Sequence, residues 1–366
     1  MPSLDETHEN LYYQDSGPLR GQYLTIFFVH GLGFTSGIFS RMLYFAKRKN
    51  VRLVLVNRRD YPGSKPYTDE ELVCLSSDEP SVCALALRAL AVEYAAFLAW
   101  FIQTRRTPSR HIDGTGGIAL VAWSLAHMLT CPLMAYPEAL PDDVRAILSM
   151  HLRAYCSLGS PAQTWGKASV DAAWSPINET NLPESERSAR FEYWVSRYYV
   201  HSAQAHATHD PKLLNYDALP YPTPPVSAES KQPSISVMTP EEKASVAWSG
   251  ALHSDHVLLG LPPDILRENT QRAFFDEGAE GRWPRCKVVL VWSGRGTSTS
   301  VAAAWQIEKI HKDNGGVGKK IQFVELPWAN QFVGCSTISR CQWFMYALQM
   351  HWDEPERTLD ALIAIL

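Results

Sequence analysis

The chain has 366 residues, 46% hydrophobic and 20% charged, which is enough apolar surface for a sizeable core and excludes a disordered or fibrous polypeptide. Its 34 basic and 38 acidic residues leave a net charge of −4. The longest basic run is Lys47-Arg48-Lys49, so neither a nucleic-acid footprint nor a patch for anionic membranes is expected. Seven cysteines without a C-x-x-C pair point to free, mostly buried thiols, and the first ten residues are acidic and polar, unlike a secretory signal. A cytoplasmic location is the resulting expectation.

Apolar runs at 23–29, 52–56, 117–121, 287–292 and 320–326 are rich in Val, Ile, Leu and Phe and predict buried strands. Helical composition over 37–49, 82–104, 125–134 and 301–312 separates or follows them, which predicts a mostly parallel sheet in βαβ order. The stretch 82–101 is long enough to cross roughly 30 Å of hydrocarbon. Arg88 and Glu93 interrupt it, and each charge at a bilayer centre costs about 2.5 to 3.5 kcal/mol, so a buried helix without stable membrane insertion is predicted.

From 158 to 283 the strand–helix rhythm gives way to aromatics, histidines and prolines, with a Pro-rich loop at 216–240 and helical spacing at 191–201 and 263–276. The predicted organisation is a core from 1–157 and 284–366, with 158–283 inserted as a helical lid before the last two strands.

The most informative motif is Ala122-Trp123-Ser124-Leu125-Ala126, set between a predicted strand and a predicted helix. A strand-to-helix turn that exposes a serine demands small residues two positions either side, and alanine is the next smallest after glycine. The alternative is a serine that simply caps the helix. A second motif, His30-Gly31-Leu32-Gly33, ends the first predicted strand; such glycine-rich loops bring backbone N–H groups to a developing oxyanion.

Together with Asp15-Ser-Gly17, Asn57-Arg-Arg-Asp-Tyr-Pro-Gly-Ser64 and His351-Trp-Asp-Glu-Pro-Glu356, these motifs make the chain resemble the α/β-hydrolase superfamily, in particular a fungal branch of it. The resemblance implies a mostly parallel sheet flanked by helices, Ser124 as nucleophile, and the N–H groups of Leu32 and Leu125 as oxyanion donors. It also implies an acid after the strand at 287–292 and a histidine after the last strand. Gly294 stands at the acid position and Gln331 at the histidine position. The alternative acid position reads Ser157-Leu-Gly-Ser-Pro161, without a carboxylate.

Glutamine cannot take and return a proton near neutral pH, and loss of a triad member leaves a residual acceleration of about 10³ to 10⁴ over water. His351 is the nearest replacement base by position; His311 is less well placed. The 17 residues 333–349 separate Phe332 from the C-terminal motif, where relatives run on almost at once. They are either a retained intron or a genuine inserted helix.

His201, His206, His209, His253 and His256 match no metal motif, so no metal and no cofactor are expected. Trp165, Trp174, Trp194, Tyr198 and Tyr199 would suit a lid over an apolar ligand, or simply pack it. The expected function is a serine hydrolase acting on an ester, amide or lactone of a small apolar molecule. The alternatives are a catalytically impaired member that binds a ligand or partner, and a lyase or cyclase on the same fold.

Overall fold

The structure is a computed structural model that describes residues 4–167, 175–179, 181–214, 232–331 and 352–366. Eight strands, β1 (Leu4–His8), β2 (Leu11–Asp15), β3 (Leu24–Val29), β4 (Val51–Val56), β5 (Ile118–Trp123), β6 (Leu152–Leu158), β7 (Lys287–Ser293) and β8 (Ile321–Leu326), form one sheet in the order β1-β2-β4-β3-β5-β6-β7-β8. The pairs β1–β2 and β2–β4 are antiparallel and every other pair is parallel. Every residue of β3, β4 and β5 is buried, as both-face coverage by helices requires, and that is why these strands read as unbroken apolar runs.

The antiparallel edge was not anticipated from the sequence. Leu4–His8 and Leu11–Asp15 mix polar with apolar residues, and β2 alternates buried with half-buried positions because only one of its faces meets the core. Asp15 at its end forms a bidentate, fully buried pair with Arg52 of β4, at 2.5 and 2.9 Å.

The helices before β6 are α1 (Leu43–Ala46), α2 (Asp69–Leu75), α3 (Pro80–Thr104), α4 (Ala126–Ala135) and α5 (Asp142–His151). The helix expected at 37–49 is mostly a 3₁₀ segment, Ser36–Met42, running into the single turn of α1. Gly37 and the serines around it favour turns, and Thr35 caps the segment by accepting from the Gly37 N–H. Helix α3 is the one described helix long and apolar enough to cross a membrane, and half of that window is buried in the fold. Its Glu93 accepts from Arg59 at 3.1 Å and from Asn10 at 2.6 Å, so the interrupting charge serves an internal tie.

Between β6 and β7 lie α6 (Glu184–Val195), α7 (Ala203–Thr208), α8 (Pro240–Val246), α9 (Leu252–Leu259) and α10 (Pro263–Thr270). The helix expected at 191–201 is displaced toward the N-terminus. Glu184 and Glu186 favour its positive first turn, whereas the aromatic and β-branched run Tyr198-Tyr199-Val200 leaves it and pairs its backbone with Arg295. The helix expected at 263–276 ends at Thr270 and continues as one π-turn, Gln271–Phe275. Pro240, expected to close the Pro-rich loop, instead opens α8 behind a Thr239–Glu242 capping box. After β7 come α11 (Ser298–Asp313) and, beyond β8, α12 (Pro355–Ile365).

Candidate functional site

Ser124 sits where β5 turns into α4, with its backbone at φ +57°, a left-handed conformation that a non-glycine residue adopts at a cost. Its N–H donates to Leu158 O at 2.8 Å, which extends the β5–β6 ladder by one bond and pins the turn. Buried Ala122 and Ala126 flank it. The space in front of the serine is claimed by Gly31: a Cβ there would lie 2.8 Å from Ser124 Cβ and 3.3 Å from its Oγ. Only glycine lets the two backbones approach this closely.

Neither the Leu32 nor the Leu125 N–H is used in a hydrogen bond among the described residues. The loop that carries Leu32 is held by a buried network. His30 Nε2 accepts from the Arg58 backbone N–H at 3.0 Å, which leaves the proton on Nδ1 to donate to Gly31 O at 2.9 Å. Burial and the neighbouring Arg58 charge hold the His30 pKa well below its usual value, so the ring is neutral. Arg58 Nη2 reaches Asp255 at 2.5 Å, Tyr61 Oη at 3.0 Å and Gly31 O at 3.2 Å. Tyr61 Oη accepts from the Gly33 N–H at 3.0 Å and donates to Asp255 at 2.6 Å. Burial is the largest single influence and opposes the Arg58 charge, but the Asp255 carboxylate together with Tyr61, Tyr67 and Tyr94 raises the Arg58 pKa on balance. Sequence reasoning noticed the Asn57–Ser64 string but not Asp255, nearly 200 positions away.

A cavity of about 110 Å³ opens on Ser124, Leu32 and Leu125, bordered by Phe191 and Trp194 of α6, Thr299 and Ser300 of α11, and Gln331. It is somewhat smaller than the roughly 150 Å³ cavity that admits benzene. Of the aromatics expected over the pocket, Trp194 lines it; Trp174 lies outside the described residues. Trp165, Tyr198 and Tyr199 have other work. Trp165 stacks on His127 at 3.8 Å, Tyr198 Oη donates to Asp353 at 2.5 Å, and Tyr199 Oη donates to Trp194 O at 3.0 Å.

Gln331, at the position where a histidine was sought, is buried. Its Nε2 donates to Gly159 O at 2.6 Å and its backbone carbonyl accepts from Trp123 Nε1 at 3.2 Å. A Cβ at Gly294 would lie 2.5 Å from Glu325 Oε1 and 2.8 Å from Pro327 Cα, so the space for an acid there is filled by the Glu325 carboxylate, itself paired with His206 at 3.3 Å. Ser157, at the other acid position, donates to Ser160 at 2.8 Å. No described residue hydrogen-bonds Ser124 Oγ. His351 and the segment 333–349 lie outside the described residues.

Of the remaining histidines, His201 lies beside His206, and His206 and His209 both pack on Trp305, apart from the others. His201 meets Gly296 O at 3.0 Å; His209 pairs with Glu308 at 2.9 Å; His256 lies 3.3 Å from Arg187. His253 is exposed and His311 packs against Phe323. Among the described residues, no group of three or more His, Cys, Asp or Glu side chains is arranged to hold a metal. The C-terminal motif ties elements together: Asp353 accepts from Tyr198 and from Ser234, and Arg41 covers the Trp352 ring at 4.0 Å.

His127, three residues past the serine, was missed by sequence reasoning. It is buried, bonded to Tyr155 Oη at 3.0 Å, and does not border the cavity. Desolvation lowers its pKa to about 3, and burial likewise lowers that of His201 to about 4. In the unfolded chain both titrate near 6.5, so between pH 6.5 and about 3 to 4 the unfolded state binds protons that the folded state refuses. Stability therefore falls as the pH drops through that window. We expect a lower urea midpoint at about pH 4.5 than at pH 7, with a shallower pH slope in His127→Gln; equal slopes would show that His127 is solvated.

None of the family models matches the chain, and no curated protein matches it. Solved structures do. A variant of aCif aligns with a TM-score of 0.50 at 13% identity, over 99% of this chain and 88% of its own. Epoxide hydrolase A from Mycobacterium thermoresistibile gives 0.46 at 11% identity, over 100% and 98%. A mutant of haloalkane dehalogenase DatA from Agrobacterium tumefaciens C58 gives 0.45 at 11% identity, over 99% and 96%. At 13% identity, the likeness to the aCif variant speaks for architecture and leaves activity aside. The eight-stranded, mostly parallel sheet with its flanking helices is the α/β-hydrolase fold.

Proposed function

We propose that this protein is a serine hydrolase of α/β type that takes a small apolar ester, amide or lactone at Ser124. The carrying observation is the Ser124 backbone at φ +57°, directly behind a loop whose Gly31 leaves no room for a side chain. A serine that only capped a helix would need neither the strain nor the close approach. Ser124 Oγ would attack the carbonyl carbon while its oxygen takes up negative charge opposite the N–H groups of Leu32 and Leu125. The Oγ proton needs an acceptor. His351 is the candidate from the sequence, and without a base the acyl-enzyme forms and breaks down slowly.

A second reading, ligand binding without turnover, is favoured by one observation: Gln331 is locked to Gly159 O at the position where relatives of this fold type place a base. A fluorophosphonate probe separates the two. Under the hydrolase reading the folded protein labels, Ser124→Ala abolishes labelling, and His351→Ala slows it by at least about tenfold. A folded protein that does not label at all would leave the binding reading standing.

A further inference from the structure

We propose that Asp255, carried by α9 in the segment between β6 and β7, is a positioning residue that aims the Leu32 N–H into the oxyanion site from across the fold. The proposal rests on the reading of Leu32 as an oxyanion donor. The Leu32 N–H belongs to the same peptide unit as Gly31 C=O, and a planar trans peptide directs its N–H opposite to its carbonyl. Whatever fixes Gly31 O therefore fixes the line along which the Leu32 N–H points. Two donors converge on Gly31 O: His30 Nδ1–H at 2.9 Å and Arg58 Nη2–H at 3.2 Å.

Arg58 is in turn fixed by Asp255, whose two carboxylate oxygens accept from Arg58 at 2.5 Å and from Tyr61 Oη at 2.6 Å. The same Tyr61 oxygen receives the Gly33 N–H, so Asp255 braces the peptides on both sides of Leu32. Arg58, Tyr61 and Asp255 are each only 1% exposed, and an ion pair at that depth keeps its geometry because water cannot replace either partner. The next segment of the insertion adds backbone bonds from Trp248 N–H to Gly33 O at 2.9 Å and from Thr35 N–H to Val246 O at 2.8 Å. The site is thus built by the sheet but aimed by the insertion.

The test measures the rate of fluorophosphonate labelling of Ser124 as a function of probe concentration, at a temperature where every variant is folded. In Asp255→Asn, which keeps the shape but puts a donor where an acceptor stood, the maximal rate should fall about 10- to 100-fold while the half-saturating concentration changes little. Tyr61→Phe, which spares the ion pair, should lower the maximal rate less. Asp15→Asn breaks an equally buried pair with Arg52 far from the serine; it should keep the wild-type rate despite lower stability. Wild-type labelling by Asp255→Asn, or equal slowing by Asp15→Asn, overturns the proposal. If the wild-type protein does not label, the hydrolase reading fails separately, and the brace is read by amide hydrogen exchange. Gly33 should then exchange at least about tenfold faster in Asp255→Asn and Tyr61→Phe than in Asp15→Asn, and unchanged exchange overturns it.

Discussion

Asp255→Ala should lower the stability of the folded protein by about 3 to 5 kcal/mol, the range for removing one partner of a buried ion pair. The Arg58 guanidinium, 1% exposed, would keep its charge without its carboxylate, and Tyr61 Oη would lose its acceptor. The pair itself need not be a net stabiliser, because desolvating both ions offsets much of their attraction. The double variant Asp255→Ala/Arg58→Met should therefore recover a good part of the loss. Urea unfolding at neutral pH measures both changes. A shift below about 1 kcal/mol in the single variant would mean that solvent reaches Arg58 and the pair is not buried.

Gln331→His should raise Ser124-dependent hydrolysis of a small activated ester by up to about 60-fold. The figure follows from subtilisin, where loss of the acid alone costs about 3 × 10⁴ and loss of the histidine about 2 × 10⁶, so regaining a base without an acid recovers roughly their ratio. Residue 331 and Ser124 border one cavity, which places a new imidazole on the serine's side of the sheet. Adding Gly294→Asp should give no further gain, because the Glu325 carboxylate and the Pro327 backbone already fill that space. The rate of ester cleavage, with Ser124→Ala in the same background as the baseline, checks both. A rate in Gln331→His that Ser124→Ala does not abolish would remove the serine from the reaction.

The parallel strands β3, β4, β5 and β7 were legible because strands covered on both faces must be apolar almost throughout. The tight turn at Ser124 and the glycine loop left a steric trace: Gly31 lacks a side chain where one would meet Ser124, and the small residues Ala122 and Ala126 that flank the turn are buried. The edge strands β1 and β2 were not, since one-sided burial dilutes the pattern. The replacement of helix by irregular chain after Val195 turned on pairing between Tyr199 and Arg295, a contact almost a hundred positions long that no local propensity encodes. Asp255 and Glu325 escaped for the same reason. Each is an ordinary acidic residue in its own neighbourhood and acquires its role only beside Arg58 or Gly294.

The bonds from residues 246–248 to the loop at 33–35, together with the bridge between Phe34 and Ala247, splice part of the segment between β6 and β7 into the same hydrogen-bonded unit as the residues beside the serine. In engineering terms, that segment is not an interchangeable module. A chimaera that exchanged it wholesale to redirect ligand preference would discard the supports of its own Gly31–Gly33 backbone. Grafts that keep 246–255 and vary α6, which borders the cavity through Phe191 and Trp194, are the ones that leave that backbone intact.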